Sequence, residues 1–224
     1  LSATMPFTAK AQDKVEASVG ADFVSNYIWR GTDCGGVSIQ PSMGVSYKGL
    51  SLTAWGSVGI DKEDAREIDL TLGYNTGGFS VSVTDYWFSY HKEDGGYTGD
   101  YFKYGAHSTV HIFEATLGYD FGPLALSWNT YFAGDDYTKE NSDRAYSTYV
   151  GISAPFKLGG LDWSAEVGLT PWEGVYANKF NVTNLTLKAE KEIKFTNSFS
   201  LPTFAQVTFN PHTQGAYFVF GVSF

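Results

Sequence analysis

Hydrophobic and polar residues alternate with a period of two along most of this chain. The segment 216–224 shows the pattern clearly, because successive side chains of an extended strand point to opposite faces. One face carries Phe218, Phe220, Val222 and Phe224. The opposite face is mostly small or polar. A strand of this kind suits the wall of a transmembrane β-barrel, whose outside contacts lipid and whose inside does not.

The same alternation recurs and predicts twelve strands. They cover 15–30, 37–47, 50–60, 67–75, 79–87, 113–120, 124–132, 146–156, 161–169, 181–190, 199–209 and 216–224. Asp85 interrupts the apolar face of the fifth strand. We therefore expect a β-bulge or the edge of the membrane at that position.

The connections between these strands alternate in length. Short turns are predicted at 48–49, 76–78, 122–123 and 159–160, and longer charged loops at 61–66, 91–108, 134–144 and 172–179. Short periplasmic turns and longer extracellular loops are typical of outer-membrane barrels. The sequence therefore predicts an all-β fold, a twelve-stranded antiparallel transmembrane β-barrel.

A soluble β-sandwich also alternates, but its large residues meet in a densely packed core. The predicted inner face here is dominated by Ser, Thr, Gly, Asn and carboxylates, which are too small and polar to form such a core. Composition agrees with a barrel. The mean hydropathy is −0.18, and no apolar run approaches the roughly 20 residues of a membrane-spanning helix. Aromatic residues, which suit a membrane–water boundary, make up 17% of the chain.

Net charge and cysteine content exclude several other classes of protein. A net charge of −9 disfavours binding to nucleic acid, whose phosphates require a basic surface. Cys34 is the single cysteine, so the chain has no internal disulfide and no thiolate metal cluster. The predicted barrel covers 15–224. Residues 1–14 are expected to be either an N-terminal arm or the remnant of a signal peptide, because Ala9-Lys10-Ala11 has the form of a signal-peptidase site.

The first third of the chain resembles a known family. The segment 21–31, which includes Ser25, Tyr27 and Trp29 followed by Arg30-Gly31, resembles the opening strand of the Gcw_chp family of uncharacterised bacterial outer-membrane proteins. Segments 39–42, 54–57 and 67–70 extend the resemblance over residues 15–90. It implies an outer-membrane location and a barrel fold, and no particular activity.

The inner face suggests a function. The predicted lumen-lining residues are Glu16, Asp22, Asn26, Arg30, Asp69, Glu114, Glu166 and Lys188. An acidic lumen favours cations or neutral polar solutes, so we expect a narrow passive channel. In the alternative, these charges pair with one another and plug the lumen. A twelve-stranded barrel lies between filled eight-stranded barrels and open sixteen-stranded porins, so either state is compatible with its size.

A second hypothesis is an accessory or scaffold barrel that binds other envelope proteins through its loops. The predicted contact residues are the aromatic residues of the longest loop, Tyr97, Tyr101, Phe102 and Tyr104. The four His residues do not form a recognisable catalytic triad, so we expect no enzyme activity. The loop acids lack the spacing of a calcium loop. We therefore expect no metal and no cofactor, and a monomeric barrel whose main partner is outer-membrane lipid.

Overall fold

A computed structural model describes residues 14–92, 96–106, 108–196 and 199–224. The predicted N-terminal arm or signal remnant lies outside these residues, apart from Lys14. The described residues contain no helix long and apolar enough to cross a bilayer.

Fourteen strands form in the described parts of the chain. Their bounds are β1 Glu16–Val24, β2 Tyr27–Trp29, β3 Thr32–Gly35, β4 Ser38–Tyr47, β5 Leu50–Gly59, β6 Arg66–Thr76, β7 Phe79–Ser89, β8 His111–Asp120, β9 Ala125–Gly134, β10 Thr148–Leu158, β11 Leu161–Thr170, β12 Asn181–Lys194, β13 Ser200–Asn210 and β14 Gly215–Ser223. Strand β1 and strands β4 to β14 close into one barrel in chain order, and β2 pairs only with β3.

Every neighbouring pair of strands in the barrel is antiparallel, and β1 closes the barrel against β14. The closing register places Asp22 opposite Ser223 and Val24 opposite Gly221. The predicted twelve-stranded antiparallel barrel is therefore confirmed. Closure pairs the edges of the sheet, which is necessary where no water is present to satisfy backbone groups.

The two faces of the wall differ as the alternation predicts. Outward side chains are apolar and exposed, as at Phe218 (73%) and Leu72 (54%). Inward side chains are polar and buried, as at Gln40, Glu114 and Thr208. Exposed apolar side chains outside and buried polar ones inside are the reverse of a soluble protein. The outer surface is therefore built to contact hydrocarbon.

The short turns have the backbone that tight hairpins require. Both residues of the Lys48-Gly49 turn have positive φ, 49° and 87°. Gly159 and Gly160 likewise have φ of 62° and 77°. Two successive residues with positive φ form the type I′ turn, whose twist matches that of the flanking strands. These turns are confirmed, and they all lie at the end of the barrel where β1 begins.

The first predicted strand is too long, and this is a correction. Strand β1 ends at Val24, and the chain then leaves the wall and forms the small hairpin β2–β3 inside the barrel. Residues 27–30 keep the alternating pattern but do not continue β1. Alternation identifies an extended strand, and it does not show whether that strand stays in the wall.

Asp85, on the apolar outer face of β7, is paired with an imidazole. Asp85 pairs regularly with Leu70 and with Phe113, and the nearest register shift lies between β8 and β9, where Phe132 is the extra residue. The Asp85 carboxylate lies 2.7 Å from Nδ1 of His111. The expected β-bulge is therefore absent at Asp85, and the nearest bulge is in β9.

Candidate functional site

The hairpin β2–β3, called the lumen hairpin below, crosses the interior of the barrel. Its base packs against the closing strands, because Ile28 belongs to a buried cluster with Val24, Phe204 and Val219. Its tip is the Arg30-Gly31 turn, with φ of 51° and 79°. Positive φ is strained for arginine. The surrounding contacts must therefore hold the tip in place.

The tip fits closely against strands β12 and β13. A Cβ added to Gly31 would lie 1.9 Å from the carbonyl oxygen of Thr183 in β12. Nδ2 of Asn210, in β13, donates a hydrogen bond to the Gly31 carbonyl at 3.0 Å. Only glycine combines this φ with this close approach. These contacts with the wall therefore fix the position of the hairpin tip.

Arg30 and Glu114 form a buried ion pair at the centre of this contact. The two guanidinium nitrogens donate to the two carboxylate oxygens, with Nη1–Oε2 at 2.6 Å and Nη2–Oε1 at 2.8 Å. Their side chains are 10% and 2% exposed. Parallel double hydrogen bonds of this kind are the strongest arrangement between arginine and a carboxylate. The pair joins the hairpin to strand β8.

Tyrosines surround this ion pair. The Arg30 Nη1 donates to the hydroxyl of Tyr176 at 2.6 Å. The hydroxyl of Tyr86 donates to Oε1 of Glu114 at 2.9 Å. The guanidinium carbon lies 4.8 Å from the ring centroid of Tyr149 and 4.2 Å from that of Trp29. Aromatic faces at these distances attract a cation.

The electrostatics of the hairpin keep Arg30 charged. Burial alone would lower the pKa of the Arg30 guanidinium, but the Glu114 carboxylate more than offsets burial and the net effect raises it. Burial also raises the pKa of Tyr176 to about 12. Its hydroxyl is therefore neutral and can donate to Tyr131, 3.3 Å away. The contact between hairpin and wall joins a fixed cation to a carboxylate.

The structure brings Arg30 and Glu114 together, and it places the other predicted lumen residues in separate groups. Glu166 accepts hydrogen bonds from the hydroxyl of Tyr149 (2.5 Å) and from Nδ2 of Asn184 (3.0 Å). Lys188 pairs with Glu190 at 2.5 Å. These contacts lie on β10, β11 and β12. Tyr149 connects the Glu166 group to Arg30.

The remaining predicted residues lie at the seam, in the hairpin and on β6. Asp22 is opposite Gln40 and Ser223. Glu16 is exposed at the start of β1. Nδ2 of Asn26 donates to the carbonyl of Gly35, so Asn26 belongs to the lumen hairpin rather than to a wall strand. Asp69 faces inward, between Trp55 and Tyr86 in the strand register.

Sequence reasoning missed the tyrosines around the ion pair. Tyr86, Tyr131 and Tyr149 lie on the predicted polar face, and Tyr176 lies in the loop after β11. All four are buried. These tyrosines stand out because most other residues predicted to face inward are small. A buried tyrosine hydroxyl needs a polar partner, so their positions could have indicated a polar contact inside the barrel.

The predicted contact loop packs on the outside of the barrel. The ring of Tyr101 lies 5.4 Å from that of Trp87, and the ring of Tyr104 lies 4.2 Å from that of His111. His111 is fully buried beneath them. Phe102 is 89% exposed. Tyr97 packs edge-on against His91.

The histidines of the described chain are held in separate contacts. His111 has Asp85 at Nδ1 and the Tyr101 carbonyl at Nε2, both at 2.7 Å. Nδ1 of His212 contacts Asn181, and His107 lies outside the described residues. The described residues contain no group of three or more His, Cys, Asp or Glu side chains suited to hold a metal ion.

Taken together, the closed barrel, its apolar exterior, its polar interior and its short turns at one end define an integral β-barrel of the bacterial outer membrane. No family model matches the chain, and no curated protein matches it. The resemblance to the Gcw_chp family therefore stays a prediction.

Two solved outer-membrane proteins are similar to this chain. BamA from Haemophilus ducreyi, in a form lacking POTRA domains 1–3, is 11% identical over 88% of the chain and 41% of its own length, with a TM-score of 0.41. CdiB from Acinetobacter baumannii is 13% identical over 95% of the chain and 60% of its own length, with a TM-score of 0.43. The chain thus spans less than two thirds of either protein.

Proposed function

We propose that the protein is a narrow passive channel for small polar or cationic solutes, and that the lumen hairpin closes it in this conformation. The observation that carries the proposal is the buried Arg30–Glu114 ion pair, which joins the lumen hairpin to strand β8 of the wall. The base of the hairpin is packed on the closing strands. Opening requires the tip to give up the ion pair and its hydrogen bonds to Tyr176 and Asn210, which together form its contact with the wall. A closed and an open state then differ in that contact.

The charges of the inward face support a preference for cations. The barrel strands point several carboxylates inward, namely Asp22, Glu67, Asp69, Glu114, Glu166 and Glu190. The inward Lys188 is already paired with Glu190. Withdrawal of Arg30 would leave an excess of negative charge around the passage. Rings of carboxylates favour the passage of cations.

Planar-bilayer recording of the purified protein tests this proposal. We expect low conductance for the wild type and a large gain for Arg30→Ala, which removes the ion pair. Gly31→Ala should give a similar gain although both charges remain, because its Cβ cannot fit beside the Thr183 carbonyl. In either variant, Glu166→Gln should reduce the preference for cations.

Gly159→Ala is the matched control, because nothing lies within 4 Å of its added Cβ and the turn is remote from the hairpin. It should conduct like the wild type. Failure of both Arg30→Ala and Gly31→Ala to conduct, when both are correctly folded, would contradict the proposal.

A non-transporting accessory barrel is the second candidate, and one exposed side chain favours it. Phe102 is 89% exposed although its neighbours Tyr101 and Tyr104 pack on the barrel. An aromatic side chain held out by a packed loop is suited to a protein contact. Stoichiometric co-purification of an envelope protein from native membranes, lost in Phe102→Ser, would support this role.

We also propose that the barrel has no catalytic activity. Both ring nitrogens of His111 face a carboxylate or a carbonyl, so neither is directed at a hydroxyl nucleophile. His111→Ala should therefore leave the lipid composition of the envelope unchanged. An altered lipid profile would contradict this proposal.

A further inference from the structure

The groups that hold the Arg30 guanidinium belong almost entirely to the barrel and not to the hairpin. Glu114 and Tyr86 lie on β8 and β7, Tyr149 lies on β10, and Tyr176 lies in the loop between β11 and β12. Only Trp29 comes from the hairpin itself. We call the four barrel residues the guanidinium cage. Arg30 enters this cage from outside, as a ligand would.

The geometry of the guanidinium cage fits a planar guanidinium group. Two carboxylate oxygens accept from two nitrogens of the same planar group, at 2.6 and 2.8 Å. The Tyr176 hydroxyl accepts a third hydrogen bond, at 2.6 Å. The Tyr149 and Tyr176 rings lie 4.8 and 5.8 Å from the guanidinium carbon. An ammonium group cannot make the paired contact, because its donors do not lie in one plane.

The carboxylate is held in place without help from Arg30. The hydroxyl of Tyr86 donates to Oε1 of Glu114 at 2.9 Å, and the Thr116 hydroxyl oxygen lies 3.4 Å from the same atom. The single proton of the Thr116 hydroxyl is directed at the nearer acceptor, Oδ1 of Asn129 on β9, at 3.0 Å. The wall thus supports Glu114 on its own. A supported, buried carboxylate remains a strong site for a cation when the hairpin withdraws.

We infer that the guanidinium cage binds free solutes that carry a guanidinium group, and that Arg30 occupies the place of such a solute in the closed state. This inference rests on the proposed channel function and names the class of cation that the channel would favour. The hairpin then acts as a tethered competitor. A guanidinium-bearing solute displaces Arg30, binds Glu114 and thereby favours the open state.

Chemical rescue of Arg30→Ala tests the inference. The probe is ethylguanidinium chloride at 1 to 20 mM by design, a range far below denaturing concentrations, added to the folded variant in detergent micelles. We expect saturable thermal stabilisation by several degrees. Sodium and tetramethylammonium at equal ionic strength should give none, and neither should ethylguanidinium added to Arg30→Ala/Glu114→Gln.

The wild type is the matched reference, because its own guanidinium fills the cage. It should respond at least tenfold more weakly to the same probe. If Arg30→Ala does not fold, Gly31→Ala serves instead, since its hairpin is displaced while Glu114 is intact. Equal stabilisation by ethylguanidinium and tetramethylammonium, or rescue that persists in the Glu114→Gln background, would overturn the inference.

Bilayer recording separates this inference from the channel proposal. Stabilisation by ethylguanidinium without any conductance would support the cage and contradict the channel. Conductance of Arg30→Ala that ethylguanidinium neither blocks nor carries would support the channel and overturn the cage. Current carried by ethylguanidinium in preference to tetramethylammonium, and lost in the Glu114→Gln background, would support both.

Discussion

Arg30 and Glu114 form a buried ion pair, and their side chains are 10% and 2% exposed. Removing one member of such a pair leaves the other charge buried without a partner. We expect Arg30→Ala and Glu114→Ala each to lower the free energy of unfolding by about 3 kcal/mol. Urea unfolding in lipid vesicles measures this change.

The double variant Arg30→Ala/Glu114→Ala should be less destabilised than the sum of the two single changes, because it leaves no unpaired charge. The exposed pair Lys157–Asp162 is the control. Lys157→Ala should change stability by less than ~0.5 kcal/mol. Strict additivity at Arg30 and Glu114 would show that the two charges do not interact.

Cys34 gives a second prediction at the scale of one residue. Burial raises the pKa of its thiol to about 12, and the thiolate is the form that reacts. At pH 8 we expect maleimide to label the folded protein on the order of a hundredfold more slowly than the unfolded chain. Labelling should accelerate as the pH rises. Equal rates in the folded and unfolded protein would contradict the raised pKa.

At the scale of the strand, periodicity predicted the wall well because each barrel strand has one lipid-facing side. The correct exterior needs an apolar residue at every second position, as at Leu70 and Leu72. The same rule failed after Val24. Tyr27 and Trp29 continue the alternation, but they pack inside the barrel. The strands of a hairpin inside the lumen also alternate with a period of two, so the pattern does not distinguish them from wall strands.

The candidate site was predictable only in part, because alternation shows on which face of a strand a residue lies but not which residue it contacts. Arg30 and Glu114 were predicted as lumen residues from the side of the strand on which they fall. Their pairing joins positions that are 84 residues apart, and strand alternation carries no information about such a distance. The Arg30-Gly31 pair is a turn signal in itself, since positive φ at the second position favours glycine.

The type I′ turns allow a matched comparison between two glycines. An added Cβ at Gly49 would lie 2.4 Å from the carbonyl oxygen of Asn75, whereas nothing lies within 4 Å of one at Gly77. Both have positive φ. We expect Gly77→Ala to cost about 1 kcal/mol from backbone strain alone. Gly49→Ala should cost clearly more in the same unfolding assay, and equal costs would contradict the close contact.

The loop 96–106 is attached to the outer wall through His111, which joins Asp85 to the carbonyl of Tyr101. His111→Ala removes both contacts, so the loop should detach. We expect trypsin to cut after the exposed Lys103 about tenfold faster, which mass spectrometry of the fragments measures. The control is His212→Ala, whose contact with Asn181 is elsewhere. An unchanged rate would show that other contacts hold the loop.

At the scale of the whole molecule, the site in the lumen depends on the orientation of the wall. Leu126, Trp128 and Phe132 must face lipid, and inward groups such as Gln40 and Glu114 must face the lumen. Exposed aromatic and aliphatic side chains on all sides of a closed barrel are stable only in hydrocarbon. The ion pair, the guanidinium cage and the lumen hairpin lie in a lumen only if the wall has this orientation.

Quenching of single tryptophans by lipids with brominated acyl chains tests this orientation most directly. Two variants each retain one tryptophan, either Trp128, which is 43% exposed on the outer surface, or Trp55, whose ring lies 5.6 Å from that of Tyr27 inside the barrel. This orientation predicts strong quenching of Trp128 and little quenching of Trp55. Equal quenching of the two, or quenching of Trp55 alone, would contradict it.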